Sequence, residues 1–402
     1  MNLSTRLCSL QRTANVAIFS AMMGLFGGCG FGSAEGDGRE LHAYAAGVEY
    51  HGPPCRDSAT IRRWSPKVYL HPYDKHRPQS IQVYRDHGEV FDASGNWLGA
   101  AGDLDLSLLG ADTYISLKDY VDRGYPTGHD AFETGLSAVA GEMLAPMYVK
   151  GMERAEFVDL KYIFFYEFNG FQMFRASFWG KKRNFPFPRF ARHEGDWEHI
   201  TVRLHKSDCS IVGAYYGQHG DQVWYGAGEL SFEDGDHPVV YSALNSHASY
   251  PRSGTFTEKE LPGVGVVVGI MWSKVVDEAA RTAGEAESRG LRTYSKPSDF
   301  NATVVWRPWA HALDADNPDL LVDLDRESHW SQGIAYCGHF GIARLDNRHM
   351  DTPPSLPYNG HNKFFALAKV ADFFGALSEY HYGSGPRSPR HQGGGYWYDD
   401  EP

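Results

Sequence analysis

The sequence predicts a mainly β protein, built as an antiparallel β-sandwich with a few peripheral helices. Aromatic residues make up 14% of the 402 residues, and the chain contains 44 Gly and 21 Pro. This composition favours strands and turns over a helical bundle, because aromatic side chains fit a pleated sheet and Gly and Pro end regular elements. Short apolar or alternating segments recur between turn signals about every ten residues, which is typical of a sandwich.

The individual strands follow from periodicity and from turn residues. Two short strands are expected at 67–71 and 80–85, on either side of a turn rich in Pro and Asp. The aromatic segment 159–170 ends at Asn-Gly, which predicts a hairpin with 171–180 as the returning strand. The remaining predicted strands are 197–204, 210–220, 237–250, 263–272 and 300–309.

Helices are expected in two places. The segment "DAFETGLSAVAGEMLAPMYVK" (130–150) has helical spacing with Pro146 as a break, and "SKVVDEAARTAGEAESRGL" (273–291) predicts one surface helix. Both are predicted insertions in a single sandwich domain that covers 61–382. Residues 383–402 are rich in Gly, Ser and Pro, which predicts a disordered tail.

The N-terminus has the layout of an export signal. Arg6 and Arg12 precede an apolar stretch, and no acid occurs before Cys29. The stretch "LFGGC" resembles a bacterial lipobox, so lipidation at Cys29 is expected. Residues 1–29 are therefore predicted as a leader and 30–60 as a tether. The protein is expected to be exported, as a periplasmic or outer-membrane lipoprotein or as a secreted protein.

Charge and cysteine content limit the function classes. The formal net charge is −12 and no Lys/Arg-rich run occurs, so no nucleic-acid partner is expected. Beyond Cys29 the chain has Cys55, Cys209 and Cys337, which allow one disulfide without identifying the pair. Their spacings match no zinc motif. The sequence carries no signal for an oligomeric state.

The segment "ARHEGDWEHITVRL" (191–204) predicts a site. Residues two apart in a strand share a face, so Asp196 and Glu198 point to the same side as the apolar residues that follow them. Inward-facing acids are costly unless they are protonated, paired with a base or bound to a cation. One alternative is therefore that Arg192 or Arg203 neutralises one of the acids.

The second alternative is a divalent cation. His193 lies three residues before Asp196, and Gly195 allows the backbone to turn so that the imidazole joins the acids. One imidazole and two carboxylates, from His193, Asp196 and Glu198, form a plausible set of metal ligands. Oxygen-rich ligation favours Ca²⁺ or Mg²⁺, with Mn²⁺ or Zn²⁺ also possible.

Further polar clusters end predicted strands, and sites of sandwiches are built where strand ends and loops gather. His219 and His247 are candidate catalytic groups there. The groups expected to surround the site or to contact a substrate are Gln218, Asn245, Ser246 and Ser249. The chain has no Gly-x-Ser-x-Gly elbow, no phosphate-binding loop and no dinucleotide fingerprint, so these reaction classes have no support.

Five segments occur in an order that resembles the vacuolar protein sorting-associated protein 62 family. They are "SPKVYLHPYDKHRPQSIQVY", "YIFFYEFNG", "RHEGDWEHITVRL", "YYGQHG" and "HPVVYSALNSHASYP". The resemblance covers roughly residues 60–345. The family name describes a trafficking phenotype and implies little chemistry.

The heptad around "HEGDWE" resembles the Gly-His-Arg-His-Asp-Trp-Glu signature of necrosis- and ethylene-inducing peptide-like cytolysins. Those proteins are secreted β-sandwiches that bind a divalent cation and attack membranes through sphingolipid headgroups. The resemblance implies metal ligation by His193, Asp196 and Glu198. Gly195 replaces the second His of the signature. The upstream Asp ligand has no clear equivalent, and Asn169 is the best candidate for it.

Two functions of different class follow as expectations. In the first, the cation binds a membrane lipid headgroup or a glycan, as in a toxin-like or surface-binding module. In the second, the protein is a metal-dependent hydrolase in which His219 or His247 moves protons for a metal-activated water. A purely structural surface lipoprotein is the third alternative, so the sequence leaves open whether the protein is an enzyme.

Overall fold

A computed structural model defines the fold. It describes residues 54–340 and 389, apart from 75, 118–135, 137, 138, 171, 172, 179, 180, 187–192, 220, 261–272, 292–302, 312–319, 327–335 and 337. The predicted leader, the predicted strand 263–272 and, except for residue 389, the predicted tail lie outside the described residues. The boundaries of the tether and of the sandwich domain stay predictions.

The described residues form short helices and many strands. The helices are α1 (Ser58–Arg63), α2 (Gln82–His87) and α3 (Ala283–Ser288). The strands are β1 (Lys67–Leu70), β2 (Gly88–Phe91), β3 (Trp97–Ala100), β4 (Tyr114–Leu117), β5 (Glu142–Met143), β6 (Met147–Glu153), β7 (Phe157–Asn169), β8 (Met173–Phe178), β9 (Lys181–Pro186), β10 (His193–His205), β11 (Ile211–Gln218), β12 (Asp221–Gly226), β13 (Phe232–Glu233), β14 (His237–Ser242), β15 (Ser249–Tyr250), β16 (Gly254–Glu260), β17 (Ser273–Ala279), β18 (Val304–Trp306), β19 (Leu321–Asp323) and β20 (His339–Phe340). The prediction of a mainly β fold with few helices is confirmed.

The central sheet has the strand order β12-β11-β10-β7-β6-β19. Its two longest strands, β7 and β10, pair antiparallel from His193 opposite Asn169 to His205 opposite Phe157. Aromatic and β-branched side chains dominate β7, which suits a sheet that is buried on both faces. This ladder fixes the orientation of every side chain in the "HEGDWEH" segment.

Two further sheets cover the faces of the central sheet. The front sheet has the order β13-β14-β1-β18-β5, with β15 added to β14, and the back sheet has the order β20-β4-β2-β3. The front core fills the space between the front and central sheets and includes Val68, Phe164, Ile200 and Trp306. The back core includes Val90, Ile115, Phe165, Trp197 and Phe340. The central ladder is therefore packed on both sides.

A side sheet completes the described fold, with the order β16-β17-β8-β9. It meets the front sheet where Ala243 bridges to Ala279 of β17. Leu244, which follows β14, packs in one apolar cluster with Met173 of β8 and Val276 of β17. Through these contacts, the turn after β14 lies against β17, and both contribute to the candidate site.

Three predicted elements are wrong, and each has a physical reason. Residues 273–279 form β17 instead of helix, because they pair with β16 on one side and β8 on the other. Residues 82–87 form α2 instead of strand, since Ile81 and Tyr84 are buried three residues apart, as on one face of a helix. In the predicted helix 130–150, Pro146 separates two strands, β5 and β6.

A disulfide joins Cys55 and Cys209 across 154 residues of sequence. It ties the segment before α1 to the turn between β10 and β11. Cys337 lies outside the described residues. None of the described helices is long and apolar enough to cross a membrane.

Candidate functional site

The two acids of β10 lie on the face that the alternation predicts. Asp196 and Glu198 are 8% and 6% exposed, opposite Tyr166 and Phe164 of β7. The apolar residues that continue their face, beginning with Ile200, belong to the front core. Both carboxylates are therefore placed on the packed side of the strand, where an uncompensated charge is costly.

A glycine in the left-handed region precedes the acids. Gly195 has a φ of +65°, and a Cβ at this position would lie 2.6 Å from the Cβ of Phe340, so no other residue fits. The turn does not bring His193 to the acids in this structure. The Nδ1 atom of His193 instead lies 2.8 Å from the carbonyl oxygen of Gly195 and 3.3 Å from that of Glu194.

The base that compensates Asp196 is His247. Its Nδ1 atom lies 2.7 Å from Oδ2 of Asp196, and its Nε2 atom lies 3.1 Å from the carbonyl oxygen of His76 and 3.5 Å from Oδ2 of Asp74. The imidazole stacks on the ring of Tyr166, with centroids 3.8 Å apart. An internal base therefore does pair with Asp196, but it is not Arg203, which binds Asp159, and Arg192 lies outside the described residues.

Both nitrogens of His247 face acceptors, which is the environment of a protonated imidazole. Burial lowers the pKa of His247, but the charge of Asp74 and the hydrogen bond to Asp196 outweigh burial and raise it to about 10. Burial raises the pKa of Asp74, whereas His247 and the amide of Asn245 lower it, and the net shift is downward. Asp74 accepts from the backbone N–H groups of His76 and Asn245, at 2.9 and 2.7 Å.

Glu198 has a different environment. Among the described residues, no hydrogen bond or ion pair reaches its carboxylate. Burial and the neighbouring charge of Asp196 raise its pKa well above the ordinary value, although His219 and His247 oppose the shift. Asp196 therefore has a basic partner in His247, whereas the charged form of Glu198 is disfavoured.

A second carboxylate–imidazole pair lies beside Glu198. The Nε2 atom of His219 is 2.5 Å from Oδ2 of Asp277, a fully buried residue of β17. The hydroxyls of Ser246 and Tyr250 donate to the same carboxylate at 2.6 and 2.5 Å. Burial raises the pKa of Asp277, but the charge of His219 and these hydrogen bonds lower it overall. The His219 side chain is 25% exposed, so this pair is open to solvent on one side.

Left-handed backbone shapes the two loops that carry these imidazoles. The φ angles are 69° at Asn245, 56° at His247 and 53° at His219. Such conformations are uncommon outside glycine, and functional sites often contain them. The turn is fixed against the end of β7, because the N–H of Gly170 donates to the carbonyl oxygen of Asn245 at 2.9 Å.

The other predicted residues lie near the site without joining the two acids. Asn169 is opposite His193 in the ladder, and its amide donates to the carbonyl oxygen of Gly170 at 3.2 Å. Gln218 donates to the carbonyl oxygen of Ser249 at 3.2 Å. The Ser249 hydroxyl is buried and has no hydrogen-bond partner in the described part of the chain. Cys29 lies outside the described residues.

The donor set fits a divalent cation only in part. Asp196 and Glu198 supply adjacent carboxylate oxygens, which Ca²⁺ and Mg²⁺ prefer. Within the described ranges, however, no group of three or more His, Cys, Asp or Glu side chains is placed to hold a metal ion. One oxygen of Asp196 is engaged by His247, and the ring of His193 is turned toward its own backbone.

The sequence analysis did not identify Asp74, His76, Tyr166 or Asp277 as members of the site. Asp74 and His76 follow β1 in "LHPYDKH", which obeys the same rule of polar groups after a strand that identified the other candidates. Asp277 was hidden because its segment was predicted as a helix. Tyr166 has the pattern of an ordinary aromatic strand residue, and no local signal distinguishes it.

The fold and site define a β-rich protein with a buried cluster of carboxylates and imidazoles at the junction of three sheets. The family model described as "Vacuolar protein sorting-associated protein 62" matches residues 54–292, more than half of the chain. The chain therefore belongs to this family, and the predicted resemblance is confirmed. All five quoted segments lie within the matched residues.

Two relatives from Saccharomyces cerevisiae are similar in sequence. "Putative vacuolar protein sorting-associated protein TDA6" is 24% identical over 222 residues, 47% of this chain and 45% of the yeast protein. "Vacuolar protein sorting-associated protein 62" is 24% identical over 220 residues, 47% of this chain and 44% of the yeast protein. The chain thus matches less than half the length of each yeast protein.

Solved structures of the cytolysin class also show similarity. Necrosis and Ethylene inducing Protein 2, from the causal agent of cocoa's Witches Broom disease, is 18% identical with a TM-score of 0.26, covering 50% of this chain and 70% of that chain. NLPPya in complex with mannosamine is 12% identical with a TM-score of 0.29, covering 79% and 94%. These scores are too low to relate individual residues of the two folds.

Proposed function

We propose that this chain is an exported binding protein whose acidic cluster takes a divalent cation and, with it, a polar lipid headgroup or a glycan. One observation carries the proposal. Glu198 is a buried carboxylate without a hydrogen-bond partner among the described residues, and it lies on the same strand face as the carboxylate of Asp196. A bound cation would compensate both acids, whereas the internal base His247 pairs only with Asp196.

The charges around Glu198 favour a positively charged occupant. Asp74, Asp196 and Asp277 already outnumber the two imidazoles that they contact, so an ionised Glu198 adds a further negative charge in a poorly solvated place. Asp196 and Glu198 would hold the ion, with His193 and Asn169 as predicted further ligands at the adjoining strand ends. Carboxylate ligation favours Ca²⁺ or Mg²⁺, and an imidazole ligand would allow Mn²⁺ or Zn²⁺.

Two features support export. The predicted leader at 1–29 carries the arrangement of an export signal with Cys29 as a lipidation site. The disulfide between Cys55 and Cys209 is of a kind that persists in oxidising compartments such as the bacterial periplasm or the extracellular space. Together they favour a periplasmic, outer-membrane or secreted location.

The His219–Asp277 pair favours hydrolysis as a second candidate function. A partly exposed imidazole that is oriented by a buried carboxylate is the arrangement of a general base. In that case the cation would polarise the substrate or its attacking water, and His219 would accept the proton. Ser246 and Tyr250 would hold Asp277 in place for this step.

Vesicle flotation and glycan-array binding distinguish these functions. The assays compare three proteins: the wild-type chain, Glu198→Gln and the surface control Asp221→Asn. Each protein is tested with Ca²⁺ and with a chelator. The vesicles are phosphatidylcholine with and without phosphatidylinositol. We expect cation-dependent binding that Glu198→Gln abolishes and Asp221→Asn retains. Binding that is unchanged by the chelator and by Glu198→Gln would contradict the proposal. Release of a cleaved headgroup or sugar, detected by mass spectrometry, would favour the hydrolase.

A further inference from the structure

The imidazole of His247 contacts a carboxylate oxygen of Asp196 that the proposed cation would need as a ligand. The Nδ1 atom lies 2.7 Å from Oδ2 of Asp196, and both residues are buried. We propose that His247 is a built-in competitor of the cation, which holds Asp196 in the cation-free protein and must release it when the ion binds. The inference rests on the proposed function and concerns what sets the affinity of that site.

The contact is specific and well fixed. The ring of Tyr166 lies parallel to the ring of His247, with 3° between the planes, and the opposite nitrogen faces the carbonyl oxygen of His76 at 3.1 Å. The backbone N–H of His247 donates to the carbonyl oxygen of Ala243 at 3.0 Å. The imidazole is therefore held at Asp196 by its own surroundings as well as by the carboxylate.

A second carboxylate makes release of Asp196 possible. Oδ2 of Asp74 lies 3.5 Å from Nε2 of His247, so the imidazole keeps a charged partner after it leaves Asp196. Asp74 itself is fixed by the backbone N–H groups of His76 and Asn245. A buried base that lost its only partner would oppose release strongly, and the Asp74 contact on Nε2 reduces that penalty.

The same contact limits the oxygens that Asp196 offers to an ion. With His247 in place, Asp196 offers the ion one free oxygen, and Glu198 is the other adjacent donor. Withdrawal of the imidazole frees both oxygens of Asp196 beside Glu198. The alternative role, in which His247 orients Asp196 for the ion and strengthens its binding, predicts the opposite effect of removing the imidazole.

The test compares two buried histidines by calorimetric titration with CaCl₂ and MgCl₂. His247→Asn removes the competitor, and Asn suits the left-handed backbone at this position. His237→Asn is the matched control, because His237 is also buried, stacks on Trp309 with centroids 3.6 Å apart, and faces the carbonyl oxygen of Ser65 at 2.8 Å. We expect His247→Asn to bind the ion about tenfold more tightly than the wild type, and His237→Asn to match the wild type.

Each outcome is decisive. Tighter binding by His247→Asn than by a wild type that also binds the ion supports the inference, whereas binding by the variant alone contradicts the proposed function. Equal or weaker binding overturns it while the proposed function stands. If neither the wild type nor His247→Asn binds a divalent cation, the proposed function fails together with the inference.

A second readout follows the imidazole directly. In proton–nitrogen NMR spectra, the hydrogen-bonded Nδ1 proton of His247 is expected to be present without the ion and to lose its protection when CaCl₂ is added. A signal that persists unchanged in the ion-saturated protein would overturn the inference even if the affinities agree with it.

Discussion

The ring of Tyr166 lies parallel to the imidazole of His247, with centroids 3.8 Å apart and planes 3° apart. Tyr166 is also the residue of β7 that pairs with Asp196 of β10. The strand pair that places the carboxylate therefore also supplies the surface on which its basic partner rests. The Tyr166 hydroxyl lies 3.1 Å from the hydroxyl of Ser242, which fixes the ring from the front sheet.

Loss of this stacking surface should destabilise the protein. Tyr166→Leu removes the aromatic face and part of a fully buried side chain, and we expect a loss of about 2–4 kcal/mol in the free energy of unfolding. Tyr166→Phe keeps the ring and loses only the contact with Ser242, so about 1 kcal/mol is expected. Urea denaturation measures both values. Equal losses in the two variants would show that the stack contributes nothing beyond the hydroxyl.

Gly195 should tolerate no side chain. Its φ of +65° and the close Cβ of Phe340 predict that Gly195→Ala costs about 2–5 kcal/mol through backbone strain and overpacking. Gly228→Ala is the control, because a Cβ there meets nothing within 4 Å, and we expect a change within about 0.5 kcal/mol. Thermal and urea denaturation test the pair. A Gly195→Ala protein as stable as Gly228→Ala would contradict the local geometry.

The disulfide should contribute to stability. It closes a loop across 154 residues, and its removal in Cys55→Ala/Cys209→Ala is expected to cost about 2–5 kcal/mol. A reducing agent should destabilise the wild type by a similar amount and leave the double variant unchanged. Mass spectrometry of peptides under non-reducing conditions checks the pairing, and a bridge from either cysteine to Cys337 would contradict it.

His71 should make stability fall in mild acid. It is buried, and burial lowers its pKa to about 3, with Arg289 adding to the shift and Asp74 opposing it. The folded protein thus keeps His71 neutral while the unfolded chain takes up a proton below pH 6.5, so this contribution is complete above pH 6.5 and is lost as the pH falls toward 3.

The matched variant for this effect is His71→Asn. Its side-chain oxygen can still accept from the N–H of Tyr73, which donates to His71 Nδ1 at 3.2 Å in the wild type. Between pH 7.5 and pH 5, the wild type should lose about 2 kcal/mol more than His71→Asn. Equal pH dependence in urea denaturation would show that His71 titrates normally in the folded protein.

The strands that carry the site could be predicted from the sequence because their local patterns agree with their tertiary environment. The aromatic strand β7 and the alternation after Asp196 predict both the ladder and the face on which the two acids lie. The prediction was wrong where pairing with neighbouring strands, rather than local sequence, determines the secondary structure. Residues 273–279 contain helix-compatible Lys, Glu and Ala, yet strands on both sides hold them extended.

The partners within the site could not be predicted in the same way. His247 was a candidate because it follows a strand. Its partner Asp196, however, lies 51 residues away in the sequence, and its second partner, Asp74, lies still farther away along the chain. Periodicity specifies the face of a strand and carries no information on which distant loop meets it. Gly195 shows the same limit, since a change of backbone direction was expected there but the resulting orientation of the His193 ring was not.

Metal content is the most direct test of the central claim, that Asp196 and Glu198 face inward to hold a cation. The chain is purified without chelator beside Asp196→Ala/Glu198→Ala, and divalent ions are counted by elemental mass spectrometry. We expect about one divalent ion per wild-type chain and none in the variant. Absence of an ion from the wild type, together with no thermal shift on addition of Ca²⁺, Mg²⁺, Mn²⁺ or Zn²⁺, would contradict it and leave the two acids as part of an internally paired cluster.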